Sequence, residues 1–89
     1  MDIGHSEGIN DGKVASLSFL LGLVDHATEF NIESTLALLN TTIPDFIRSY
    51  PEYGSSMNHI LRICNEKRTT PLMRVYLEDL IHEELKKII

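Results

Sequence analysis

Apolar residues recur along this chain at the three- and four-residue steps of α-helices, and nowhere with the strict alternation of a half-buried strand. The first such stretch runs from about Gly12 to Phe30. Val14, Leu17, Leu21, Val24 and Thr28 mark one face, and Phe19, Leu20, Leu23 and Ala27 widen it. Asp11 is placed to cap this helix. Gly22, in its middle, costs about 1 kcal/mol relative to alanine, and its expected use is to let another helix approach closely. A helix apolar over so much of its circumference needs more than one neighbour to cover it.

Asn31 is the expected cap of a second helix with Ile32, Leu36, Leu39 and Ile43 on one face. Pro44 disfavours helical geometry at Ile43, which predicts an end or a kink near Asn40–Thr42. A short third helix from Pro44 to about Tyr50 follows, with Asp45 in its first turn and Phe46, Ile47 and Tyr50 as its apolar members. Tyr50-Pro51-Glu52-Tyr53-Gly54 reads as a turn. Ser55 or Ser56 then opens a fourth helix to about Lys67, striped by Met57, Ile60, Leu61 and Cys64. Thr69-Thr70-Pro71 is the sharpest local signal, a threonine cap followed by proline at the first helical position. The fifth helix runs from Pro71 nearly to the C-terminus. Met73, Tyr76, Leu77, Leu80, Ile81, Leu85 and Ile88 line it, and Lys86 and Lys87 sit at the negative end of its dipole.

The fold class this predicts is all-α, a compact bundle of four to five helices with a long C-terminal amphipathic helix. Residues 1–12 hold Gly4, Gly8 and Gly12 with only isolated apolar residues, and are expected to form a flexible N-terminal arm. Residues 13–89 form a single helical domain.

At 89 residues there is room for one domain, and a 43% hydrophobic, 24% charged composition places it among folded rather than disordered chains. Thirteen acids against eight bases give a net charge of −5. That balance opposes a general phosphate-backbone binder, which needs a positive face, and favours solubility and a basic protein partner. The longest uncharged stretch, Val14 to Val24, is well short of the ~20 residues a membrane helix needs. Asp2, Glu7 and Asp11 stand where a signal peptide carries positive charge. No membrane association is expected, and the cytoplasm is the expected compartment. Asn40-Thr41-Thr42 matches the glycosylation pattern, but without a secretory route it carries no meaning. Cys64 is the single cysteine, so no internal disulfide forms. Set in the apolar run Ile60–Cys64, it reads as a small buried hydrophobe in a reducing compartment.

No motif fixes a chemistry. Asp79 and Glu78 each share a helical face with His82, yet a di-iron bundle needs two Glu-x-x-His units and two further glutamates. The run His82-Glu83-Glu84-Leu85-Lys86 lacks the second histidine of a zinc-protease helix. The acidic side of this helix is therefore read as solvated, with no metal and no cofactor. Pairings of Cys64 with His26, His59 or His82 have no supporting pattern, and phosphate-binding loops and nucleophile elbows are absent. No catalytic residues and no enzyme are expected.

Two functional readings remain. Surplus apolar surface points to a small acidic helical protein–protein interaction module, a stoichiometric regulator or adaptor acting as a homodimer on an unidentified protein partner. Self-association is expected through the last helix, the first, or both. The interface residues are Met73, Tyr76, Leu77, Leu80, Ile81, Leu85 and Ile88. Phe46, Tyr50 and Tyr53 form a second aromatic patch, read as core packing, with a partner groove as the other reading. The alternative function is a dimeric helix-turn-helix-like DNA-binding transcriptional regulator. It would use Arg62, Lys67, Arg68 and Arg74 around the turn before the last helix. Against it, Leu72, Met73 and Val75 occupy most of the positions that would read bases, and Glu78, Asp79, Glu83 and Glu84 follow where phosphates would pass.

Overall fold

The computed structural model describes the backbone over residues 2–88 and side chains over residues 12–87. Four α-helices form among these residues: α1 (Asp2–Asp25), α2 (Ile32–Ser49), α3 (Gly54–Lys67) and α4 (Pro71–Ile88). A 3-10 turn at Pro51–Tyr53 joins α2 to α3, and no strand occurs among the described residues. Helix α1 begins ahead of Asp11, the residue expected to cap it. The backbone from Asp2 onward belongs to α1, where a flexible arm is expected over residues 1–12; the side chains up to residue 11 lie outside the described residues.

Each helix packs against two others. α1 lies on α2 and α4, α3 lies on α2 and α4, and the α1–α4 pairing is the most extensive. Among the described residues the backbones of the two diagonal pairs do not approach each other closely. Lys13 of α1 approaches Glu84 of α4, and Asp25 approaches Arg74, so these two helices run antiparallel. The chain thus makes an up-down-up-down ring of helices. Every helix supplies its core: Leu17, Leu20 and Val24; Leu36, Leu39, Ile43 and Phe46; Met57, Leu61 and Cys64; Met73 and Leu77.

The first helix stops at Asp25 rather than near Phe30. Local side-chain bonds capture the backbone of residues 26–31. Thr28 N–H donates to Asn31 Oδ1 at 2.6 Å, Phe30 N–H donates to Thr28 Oγ1 at 3.2 Å, and Asn31 Nδ2 donates to the His26 carbonyl at 3.0 Å. Such bonds compete with the helical ladder. Phe30 therefore leaves the apolar stripe and is 92% exposed. Asn31 holds the N-cap position of α2, but its side chain bonds backward into the turn instead of capping.

Pro44 does not divide α2, so the expected second and third helices are one. Proline lacks the N–H that would bond the Asn40 carbonyl. In the turn just before it, Asn40, Thr41 and Thr42 donate from their side chains to the carbonyls of Leu36, Ala37 and Leu38, at 2.6, 3.2 and 2.9 Å. Ile43 and Phe46, on either side of the proline, are both buried. Their packing holds the helix through a residue that local preference would exclude. Pro44→Ala is expected to stabilise the fold by about 2 kcal/mol. It removes a helix-interior cost of about 3 kcal/mol but frees the unfolded chain by up to about 1 kcal/mol. Urea midpoints of the two proteins check this, and an unchanged midpoint would show that Pro44 carries no net cost inside this helix.

Helix α3 starts at Gly54, ahead of the serines, because the 3-10 turn leads directly into it. A Cβ at Gly54 would lie 3.2 Å from Ile47 Cγ2, so glycine permits this tight corner. The helix closes as expected at Lys67. Arg68 takes the left-handed conformation (φ 53°), and its N–H and that of Thr69 turn back to the Cys64 carbonyl. Helix α4 then begins at Pro71, with the Thr70 carbonyl accepting the Arg74 N–H at 3.0 Å. The buried Thr70 hydroxyl donates to the Val24 carbonyl at 3.4 Å, which ties this turn to the end of α1.

Candidate functional site

Polar side chains converge where α1, the 3-10 turn and α4 meet. Glu84 is only 1% exposed. Its Oε1 accepts the Tyr53 hydroxyl at 2.5 Å and Lys87 Nζ at 3.2 Å, with Lys13 Nζ at 3.6 Å. Lys13 also reaches Glu52 at 3.4 Å and stands 5.4 and 5.3 Å from the ring centres of Tyr50 and Tyr53, within cation–π range. Phe46 packs on both tyrosine rings, with centroids 4.9 and 5.8 Å apart. The aromatic trio is thus built inward around a lysine and a carboxylate.

Burial on its own would push the Glu84 carboxyl up. The hydrogen bonds from Tyr53 and Lys87 and the charges of Lys13 and Lys87 outweigh it and hold the group below the ordinary glutamate value. Tyr53 moves the other way, raised by burial first and then by its bond to Glu84 and the nearby carboxylate charges. A carboxylate held ionised and a phenol held protonated do not trade protons near neutral pH. The cluster therefore works as a lock between three segments, although Glu84 Oε2 is buried with no hydrogen-bond partner among the described residues.

By charge Glu84 belongs with the solvated acidic face expected of α4, and its burial corrects that expectation. The signal was present. It lies seven residues after Leu77 and eleven after Met73, both fully buried, so helical spacing puts it on the inner face.

Cys64 is buried, and burial pushes its thiol up, only partly offset by a backbone hydrogen bond from Met73. A thiol so placed is a poor nucleophile. Asp79 and His82 are exposed, and Glu78 bonds Arg74 at 3.2 Å. The described residues contain no group of three or more His, Cys, Asp or Glu side chains able to hold a metal ion.

The basic turn is partly neutralised within the chain. Arg68 pairs with Glu33, and Arg74 pairs with Asp25 at 2.9 Å as well as with Glu78. Arg62 and Lys67 are exposed. A phosphate approaching this turn would have to compete with three carboxylates for two of its four cations.

The residues expected at an interface on α4 divide by depth. Met73 and Leu77 are fully buried in the single chain; Tyr76, Leu80 and Ile81 are half-buried; Leu85 is exposed; the Ile88 side chain lies outside the described residues. Met73 and Leu77 are thus spent on the core, while Tyr76, Leu80, Ile81 and Leu85 keep part of their surface uncovered. Large apolar side chains stay exposed on α4, at Leu72, Val75 and Leu85, and on the outer side of α1 and α2, where Phe19 is 57% and Leu38 49% exposed. Phe19 stands between two grooves formed by these helices. One, of about 470 Å³, has a largely apolar wall that includes Gly22, Leu23 and Leu38. The other, of about 430 Å³, runs past Thr42 and Asp45 to Tyr50.

By fold the protein is an all-α helical bundle. Comparison with known protein families, curated proteins and solved structures found no match to the chain. No helix among the described residues is long and apolar enough to cross a membrane.

Proposed function

We propose that this protein is a small, acidic, self-associating interaction module that acts by stoichiometric contact with a protein partner rather than by catalysis. The observation that supports this is the separation of its side chains by role. Its polar cluster joins the chain's own segments, while exposed Phe19 and Leu38 line one groove between α1 and α2. Exposed aromatic and aliphatic side chains around a groove are the usual material of a protein interface.

Light scattering behind a sizing column, over a concentration series, tests the self-association. The expected mass approaches twice 10.1 kDa as concentration rises. A constant monomer mass up to millimolar protein would remove self-association from this reading and leave only a heterotypic partner.

A further inference from the structure

We infer that the outer α1–α2 face is where two copies of this chain meet, with Phe19 of each copy entering the groove beside Gly22 of the other. This rests on the reading of the chain as a self-associating module and assigns the surface it uses.

The argument begins with charge. The chain carries 21 Asp, Glu, Lys and Arg residues and a net charge of −5, so two copies repel wherever their charged surfaces are apposed. Two stretches, residues 14–24 and 34–44, contain no charged residue at all. They fall on α1 and α2, which pack side by side, so the charge-free lengths of both helices are brought to one side of the bundle. The groove beside Gly22 is lined entirely by uncharged side chains and the His26 imidazole. A basic partner, which the net charge would attract, finds no carboxylate there to pair with. A second copy is the partner for which the absence of charge matters, because like surfaces meet across a two-fold axis.

Shape agrees with charge. A glycine inside a helix weakens it, and within one chain nothing compensates, since a Cβ at Gly22 would meet no atom within 4 Å. The space above it is open groove. Phe19, one turn earlier on the same helix, projects beside that groove and lines it. A projecting ring next to a recess gives the reciprocal fit that a two-fold interface needs. Burial of the two rings in the two recesses places the aromatic anchors at the centre of the contact.

Gly22→Leu and Phe19→Ser test this, with Leu72→Ser as an exposed apolar substitution on α4. Gly22→Leu fills the recess from within the chain. Because a Cβ at position 22 opens into free space and leucine improves helix propensity, the monomer is expected to melt no lower than the wild type. Both Gly22→Leu and Phe19→Ser are expected to raise the dimer dissociation constant on the order of a hundredfold or more, with helical circular dichroism retained. Leu72→Ser is expected to leave it within about twofold. A wild-type dimer that survives both α1 substitutions would overturn this surface while leaving self-association intact. Loss of the dimer in Leu72→Ser alone would move the interface to α4. A wild-type chain that stays monomeric would overturn both.

Discussion

Leu77→Glu is expected to abolish the folded state. Leu77 is fully buried at the centre of the α1–α4 pairing. Losing a buried leucine costs about 2–5 kcal/mol. An unpaired carboxylate in its place adds several kcal/mol of desolvation. The sum is comparable with the whole stability of a small domain, about 5–15 kcal/mol. Circular dichroism should show lost helix without denaturant, whereas Leu77→Ala should remain folded with a urea midpoint lowered by the cavity cost alone. A helical, cooperatively unfolding Leu77→Glu chain would contradict the packing of α1 on α4. The same reasoning separates stability from association: loss of a dimer in Leu77→Glu reports on the core. Only substitutions at exposed positions such as Phe19 report on a surface.

The second large effect is at Glu84. Glu84→Ala removes the shared partner of the Lys13 ammonium and the Tyr53 hydroxyl; Lys13 keeps Glu52 at 3.4 Å, so the cost is expected to be about 2–3 kcal/mol, under the full penalty of a buried charge left unpaired. Glu84→Gln keeps an acceptor for Tyr53 and should cost less. The two proteins also differ in their response to acid. Because the folded state holds this carboxyl below its ordinary value of 4.5, its contribution is complete above that value and is lost as pH falls through the folded value. The wild type should therefore lose stability in acid faster than Glu84→Gln, and the gap between them should close at low pH. Urea midpoints measured at neutral pH and again below about pH 3 would show this. A gap of the same size at both would mean that Glu84 is not ionised inside the fold.

Much of the bundle was legible along the chain because several boundaries are set locally. Thr70-Pro71 opens α4 where the sequence places it, and α3 ends at Lys67. The errors fell where one kind of information overrode another. At Pro44 tertiary packing won over a local breaker, since Ile43 and Phe46 are buried on either side. At Asp25–Asn31 the reverse occurred: Thr28 and Asn31 fixed a turn with their own side chains, although the apolar period continued to Phe30. Glu84 was hidden by its charge, because residue type spoke for the surface while its spacing spoke for the core. The surplus of apolar faces was visible in sequence, but not which residues of each face stay exposed. That depends on α1 spending its inner face on α4, a pairing between the two most distant helices of the chain.

That distant pairing also sets the order of events during synthesis. Of the four helices, α1 is made before the others, carrying Leu17, Leu20 and Val24, and the one that covers it most extensively follows the other two. Neither α2 nor α3 can complete the ring, so the nascent chain holds an open apolar strip until residues beyond Pro71 emerge. Closure of the ring is then expected to wait for α4, and a chain stopped before Pro71 is expected to expose that strip to chaperones and proteases.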